Sequence, residues 1–320
     1  MVSAKGTKSH IHRIFCSVAQ KFHSHQHYDA EKVERSKNIA GTSLRGKVAV
    51  ITGSSKSIGA AIAKALAAEG ANVIINYAKD GKSAEEVAQQ INSASIASTS
   101  ASISLPPTST DVQKNGPNGV ELPPQQQAVL IKADTSTISG GQYLLQETLR
   151  MFGRLDILIL SAGLMGSKTL SEIDEPFFDA HFDSNVKAPL FLVKAAAEVM
   201  ERPGGRIIFL STSLTASSTL LPNTLCYVAS KGAAEQIARV LAKDLGTKGF
   251  TVNTVAPGPV DTTLFRIGTP QHVIDSIAAQ IPSHRIAEPE DIAPIVAFLA
   301  SPAAQWVNGQ ILGVNGGYVV

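Results

Sequence analysis

Seven short runs of aliphatic and β-branched residues punctuate the chain, at 48–52, 73–77, 128–132, 155–160, 206–210, 251–256 and 311–314. Most place apolar residues at consecutive rather than alternate positions, the pattern of strands covered on both faces. Between them, apolar residues return at helical spacing over 60–67, 143–151, 186–200, 229–245 and 291–299. Strand runs alternating with helical stretches predict βαβ units wound about one sheet, each helix covering a face. The expected class is α/β: a single doubly wound domain with a mostly or wholly parallel seven-stranded sheet. In such a sheet ligands meet the loops at the carboxyl ends of the strands, so candidate chemistry is sought there.

Two stretches break the pattern. Residues 1–43 hold five of the eight histidines (His10, His12, His23, His25 and His27), and Lys5, Lys8, Arg13 and Lys21 precede the first acid, Asp29. Ile11, Ile14, Phe15, Val18, Ala19 and Phe22 fall at helical spacing. The stretch therefore reads either as a solvated tail, with the protein cytoplasmic, or as a basic amphipathic transit segment directed to mitochondria. The histidine run fixes no coordination geometry, and no metal site is assigned to it. The second break, 92–127, is rich in Ser, Pro and Gln, includes Pro106-Pro107 and Pro123-Pro124, and has no aromatic residue. Such a segment has too little apolar surface to order itself and predicts an exposed insertion. The organisation expected is an extension, 1–43, and one catalytic domain, 44–320, interrupted at 92–127.

Composition narrows the function. A chain of 320 residues with 44% hydrophobic and 17% charged residues is neither disordered nor fibrous. Its net charge of +2, without a basic stripe, argues against nucleic acid as a partner. No run approaches the roughly 18 apolar residues of a membrane span. Two cysteines, Cys16 and Cys226, make no disulfide framework, which fits a reducing compartment. A small molecule is the expected partner.

After the first strand stands Thr52-Gly53-Ser54-Ser55-Lys56-Ser57-Ile58-Gly59, followed at once by an alanine-rich helix. Small residues let the backbone approach a pyrophosphate, and free amides at the helix start offer it hydrogen bonds and a positive dipole end. A tightly packed helix entry without ligand is the alternative. Tyr227 and Lys231 are four apart at the start of a helical pattern and share one helix face. An ammonium about 4 Å from a phenol, at an effective dielectric of about 20, contributes roughly 4 kcal/mol, enough to bring a phenol from pH ~10 toward neutrality.

The turn Thr-Gly-x-x-x-x-Ile-Gly resembles the cofactor loop of the short-chain dehydrogenase/reductase family. The resemblance runs over 44–320 and takes in Leu160-Ser161-Ala162-Gly163, Asn185, Tyr227-x-x-x-Lys231, Pro257-Gly258 and Asn315-Gly316-Gly317. Ser57 departs from the family glycine, and Leu160-Ser161 replaces an Asn-Asn pair. The resemblance implies a Rossmann-type fold and hydride transfer between a nicotinamide and a carbonyl or alcohol. Naphthol reductase-like and 3-oxoacyl reductase-like members are the nearest subgroup. It implies cofactor contacts at Gly53, Ser55, Lys56, Ser57, Ile58 and Gly59, at Ser161, Ala162 and Gly163, and at Pro257, Gly258, Val260 and Thr262. Tyr227 would be the proton donor, Lys231 its partner and a ribose ligand, and Asn185 the residue that carries a proton relay. The carbonyl-binding hydroxyl is open between Thr212, by position, and Ser213, by residue type, with Ser211 a weaker third.

At the end of the second strand Asn76, Tyr77 and Ala78 offer no acid to repel a 2′-phosphate, and Lys56 can meet one, so NADP(H) is the expected cofactor. Asp134 is either an adenine contact or a helix N-cap. Leu164, Met165, Leu214, Pro222, Cys226 and a lid at 261–285 are the expected walls of a pocket for a hydrophobic or aromatic ketone. Family members assemble through the helices at 186–200 and 229–245, so a homodimer or homotetramer is implied. A non-catalytic NADP(H)-binding sensor or scaffold is the alternative function, which the intact Tyr227 and Lys231 oppose.

Overall fold

Val48–Ile51 forms the first strand, β1, and all four residues are buried, as a run lacking alternation requires. The computed structural model describes residues 43–101 and 127–320, apart from residue 268. The expectations for 1–42, and for all but the two ends of 92–127, lie outside the described residues. Six further strands follow: β2 (Asn72–Tyr77), β3 (Ala128–Lys132), β4 (Ile157–Leu160), β5 (Arg206–Leu210), β6 (Thr251–Pro257) and β7 (Ile311–Val314). They make one seven-stranded sheet in the order β3-β2-β1-β4-β5-β6-β7. Every pairing is parallel.

The helices are α1 (Ser57–Ala68), α2 (Gly81–Ala101), α3 (Ile138–Phe152), α4 (Glu175–Phe182), α5 (Ala188–Val199), α6 (Leu225–Gly246), α7 (Thr263–Arg266), α8 (Gln271–Ala278) and α9 (Pro289–Ala300). A π turn, Asp183–Lys187, joins α4 to α5. Successive strand residues feed two cores. Ala49, Ile51, Val73, Ile75, Ile157 and Ile159 pack with α1, α2 and α9. Val48, Val50, Ile74, Leu158, Leu160 and Phe209 pack with α3, α5 and α6. Period-two alternation within buried strands thus supplies both faces of a doubly wound sheet.

Helix α2 differs from expectation, because it enters the segment read as an insertion and continues to Ala101. Asn92 explains how the chain returns. Its Oδ1 accepts from the Gln127 and Ala128 amides at 3.0 and 2.9 Å, and its Nδ2 donates to the Ala128 carbonyl at 3.2 Å. The side chain of Gln127 donates to the carbonyls of Ala67 and Ala71. Both ends of the segment are therefore fixed to β3 and to the end of α1.

The strand order reverses between β1 and β4. Their carboxyl ends frame the crevice in which open α/β sheets bind ligands.

Candidate active site

One hydroxyl ties the two sides of the crevice together. Thr52 Oγ1, at the end of β1, accepts from the amides of Ser161 and Ala162 after β4, both at 3.0 Å. The turn above it needs glycine at two places. Gly53 lies at φ +63, and a Cβ there would stand 3.0 Å from the Ala162 Cα; a Cβ on Gly59 would stand 2.5 Å from the Gly53 carbonyl oxygen. Ser57 takes φ 54, the left-handed conformation that the family's glycine adopts freely and a serine enters at a cost. No side chain caps the start of α1, so its first amides face the crevice without competition. A backbone cradle closed to any Cβ, opening on free helix-start amides, suits a pyrophosphate.

One cleft joins this turn to the reacting pair. Its walls include Ser55, Lys56, Ser57, Ile58 and Gly59 on one side, Ser161, Ala162 and Gly163 at the switch point, and Tyr227, Lys231, Pro257 and Thr262 opposite. Gly163 sits at its centre, where a Cβ would lie 3.1 Å from Asn185 Oδ1 and 3.2 Å from Lys231 Nζ. A second, adjoining cleft of about 300 Å³ shares Tyr227 and runs past Thr212, Ser213, Leu214, Met165, Phe265 and Tyr318. Among the described residues, no charged side chain lines that second cleft.

The structure separates the hydroxyl candidates. Ser211 Oγ donates to Glu235 Oε1 at 2.6 Å and is committed there. Thr212 lines the second cleft together with Tyr227, and its hydroxyl acts to lower the phenol from where burial drives it. Ser213 is buried in the same wall, at the start of a short 3₁₀ turn.

Asn185 lies in the π turn, which aims its amide away from the helix axis. It accepts from the Leu164 amide and donates to the Leu164 carbonyl, both at 2.8 Å, and it donates to Ser230 Oγ at 2.9 Å. Ser230 in turn donates to the Tyr227 carbonyl at 2.8 Å. Asn185 therefore grips the loop after β4 directly and reaches the α6 backbone only through Ser230.

The electrostatics correct the expectation for the phenol. Burial pushes Tyr227 up to about 12, against a hydrogen bond from Thr212 that acts to lower it. Lys231 does not pull it down: burial drives its own ammonium to about 8, opposed by the Glu235 carboxylate. Lys231 Nζ donates to the Leu210 carbonyl at 2.7 Å and lies 6.0 Å from the centre of the Tyr227 ring. Desolvation of the phenolate is thus offset by no attraction from an ammonium that is itself costly to keep charged.

Asn76 is a second correction. It is 1% exposed, and its amide is spent on the Gly53 amide and on the carbonyls of Ile131 and Ala133. It pins the glycine turn to β3 and offers no group to a ribose. Tyr77 packs over Gly81, and Ala78 is exposed. Asp134 is no helix cap: Thr137 caps α3, accepting from the Gly140 amide, while Asp134 accepts from Ser136. Lys56 remains exposed beside Asp80, at 3.8 Å.

Among the pocket-wall candidates, Met165 and Leu214 line the second cleft, and Leu164 lines the first. Pro222 is exposed outside both, and Cys226, 2% exposed, belongs to the interior. Pro257, Gly258, Val260 and Thr262 all reach the clefts. A Cβ on Gly258 would stand 2.9 Å from the Asn315 Cα, which explains why Pro257-Gly258 and Asn315-Gly316-Gly317 occur together. In the segment expected as a lid, α7 and α8 contribute Phe265 and Ile277, and ion pairs Asp261–Arg266 and Arg285–Asp291 brace it. Tyr318 escaped the sequence reading, since only the tertiary fold brings the chain end to the cleft.

A doubly wound parallel sheet with a phosphate cradle at its switch point and a Tyr–Lys pair beside it defines a dinucleotide-dependent enzyme. Comparison with known proteins agrees. Residues 47–114 match the family described as short chain dehydrogenase, and residues 108–319 the family described as Enoyl-(Acyl carrier protein) reductase. The chain is 38% identical over 280 residues to an NADPH-dependent aldehyde reductase-like protein, chloroplastic, of Arabidopsis thaliana, covering 86% of this chain and 95% of that one. It is 37% identical over 289 residues to a hydroxynaphthalene reductase-like protein of Metarhizium robertsii, covering 87% and 96%. A short chain dehydrogenase from Burkholderia cenocepacia in complex with NADP superposes with a TM-score of 0.72 at 30% identity, covering 86% and 98%. The protein belongs to the short-chain dehydrogenase/reductase family.

Proposed function

We propose that the protein is an NADP(H)-dependent carbonyl reductase acting on a hydrophobic or aromatic ketone, with Tyr227 as the proton donor. The observation that carries this reading is the shared position of Tyr227, in the wall of both the glycine-turn cleft and the uncharged cleft beside it. The cofactor assignment draws support from the relative named NADPH-dependent and from the solved structure in complex with NADP. When bound, the cofactor supplies the hydride.

The chain's own residues do the rest. The amides and small residues of 53–59 hold the pyrophosphate, and Lys56 meets the 2′-phosphate. Pro257, Gly258, Val260 and Thr262 orient the nicotinamide end, and Lys231 holds its ribose hydroxyls. Thr212 donates a hydrogen bond to the substrate oxygen, Ser213 shapes the same wall, and Tyr227 releases its proton to that oxygen as charge develops there. Burial keeps the phenol protonated well above neutral pH, the form a reductase needs before each turnover. Asn185 positions the pair through Leu164 and Ser230.

The uncharged cleft favours apolar carbonyl compounds over small anions. The relative named for hydroxynaphthalene reduction supports an aromatic choice. Exposed Phe178, Phe191 and Val240 on α4, α5 and α6 supply apolar surface for a homodimer or homotetramer. No helix among the described residues is long and apolar enough to cross a membrane; cytoplasmic residence, or mitochondrial if the extension acts as a transit segment, completes the proposal. A panel of aromatic, aliphatic and anionic ketones with NADPH tests the substrate class. Faster turnover of the aromatic ones is expected, and a preference for anionic ones would overturn it.

A further inference from the structure

Close to the reacting pair, a buried carboxylate has no part in the mechanism. Glu235 lies one helical turn beyond Lys231 on α6 and is 6% exposed. Ser211 Oγ donates to its Oε1 at 2.6 Å, and Thr215 Oγ1 donates to the same oxygen at 2.8 Å. Those hydroxyls stand at the two ends of the turn that carries Thr212 and Ser213, and the Thr215 backbone amide donates to the Thr212 carbonyl at 3.3 Å. Leu210, next to Ser211, supplies the carbonyl that receives Lys231 Nζ. One carboxylate is thus tied to both ends of the carbonyl-binding turn and stands a helical turn from the reacting ammonium.

We infer that Glu235 is a positioning residue with two tasks: it braces the Ser211–Thr215 turn that presents Thr212, and it is the counterion that keeps Lys231 protonated. A buried charge without a partner is neutralised, so an ammonium this deep needs a carboxylate near it. Other candidates are remote or already engaged. Strand β6 has no titratable residue, and β5 has only Arg206, at its opposite end. Asp183 and Lys187 on the π turn pair with each other at the surface. On α4, Glu175 and Asp179 are exposed, and His181 Nδ1 is bonded to the Phe177 carbonyl. Tyr227 is the remaining titratable neighbour. The direction in which Glu235 moves the Lys231 ammonium agrees with the second task.

The inference rests on the reductase reading, so its test includes a readout independent of turnover. Glu235→Gln keeps an acceptor for both hydroxyls and removes only the charge. Its ketone reduction with NADPH should lose the alkaline side of the pH profile first, the ratio of kcat/KM at high pH to that at neutral pH falling about ten-fold against wild type. Its denaturation midpoint should begin to rise with pH about one unit earlier than wild type, because Lys231 then sheds its proton sooner in the folded state. The double variant Ser211→Ala, Thr215→Val keeps the charge; it should raise KM for the ketone and lower kcat without moving either pH profile. If Glu235→Gln does not fold, Glu235→Asp carries the test: the alkaline limb should stay in place while kcat falls. Superimposable pH profiles for Glu235→Gln and wild type, or an alkaline limb displaced by Glu235→Asp, would overturn the inference. Failure of wild type to oxidise NADPH with any ketone would instead strike at the reductase reading, leaving the stability profiles to report on Glu235.

Discussion

Side chains at this site are set by what surrounds them more than by their nearest charged neighbour. Tyr227 and Lys231 stood out by their spacing only in company with the ordered motifs around them, and the direction of the phenol's shift did not, because spacing along a helix says nothing about the depth of the cleft. The same applies to Asn76, which read as a cofactor contact at a strand end and is a buried tie. Asn76→Asp would set a carboxylate against the carbonyls of Ile131 and Ala133, so it should destabilise the fold by about 1–3 kcal/mol and weaken binding of either nicotinamide cofactor rather than exchange one for the other. Isothermal titration with both cofactors, alongside thermal denaturation, checks this. Ser57→Gly relieves a left-handed serine and should leave stability unchanged or raise it by up to about 1 kcal/mol, with NADPH affinity retained. For Lys231, a folded value of about 8 lies below the ordinary 10.5, so the unfolded chain binds that proton more tightly and stability rises as pH climbs between those values. Lys231→Met should remove that rise, which a series of denaturation curves from pH 7 to pH 10 will show.

At the scale of elements, the apolar runs were legible because a parallel strand must be buried on both sides. Strands β3 and β5 fall where their residues predict, and so does β7, although as an edge strand it is exposed or half-buried throughout. Helix α2 was missed because its second half is Ser- and Ala-rich and carries a weak apolar stripe; what holds it is tertiary, through Val87, Ala88 and Ile91 packed into the core. The Asn92 clip that closes it has no local signal at all, since its partners lie 35 and 36 residues on. Asn92→Ala strips partners from the Gln127 and Ala128 amides and should cost about 1–3 kcal/mol, measured by chemical denaturation, with ketone reduction at saturating substrate little altered. The π turn was equally silent. Its effect, turning Asn185 toward Leu164, is seen only once α4 and α5 are in place.

Across the whole molecule, the sheet's reversal between β1 and β4 gathers residues from the glycine turn, the switch-point loop, the β5 end, α6 and the chain end into two adjoining clefts. The first has the backbone groups and the exposed lysine a phosphorylated dinucleotide needs, and the second has the apolar walls a ketone needs. Tyr227 stands between them. Its replacement by Phe removes one oxygen and leaves the ring and both clefts intact. The most direct measurement is therefore NADPH oxidation by wild type and Tyr227→Phe with the best ketone of the panel, paired with NADPH affinity by fluorescence titration. The account predicts a loss of kcat of about 10²–10⁴-fold with affinity for NADPH unchanged within a few-fold; turnover in Tyr227→Phe equal to wild type would contradict it.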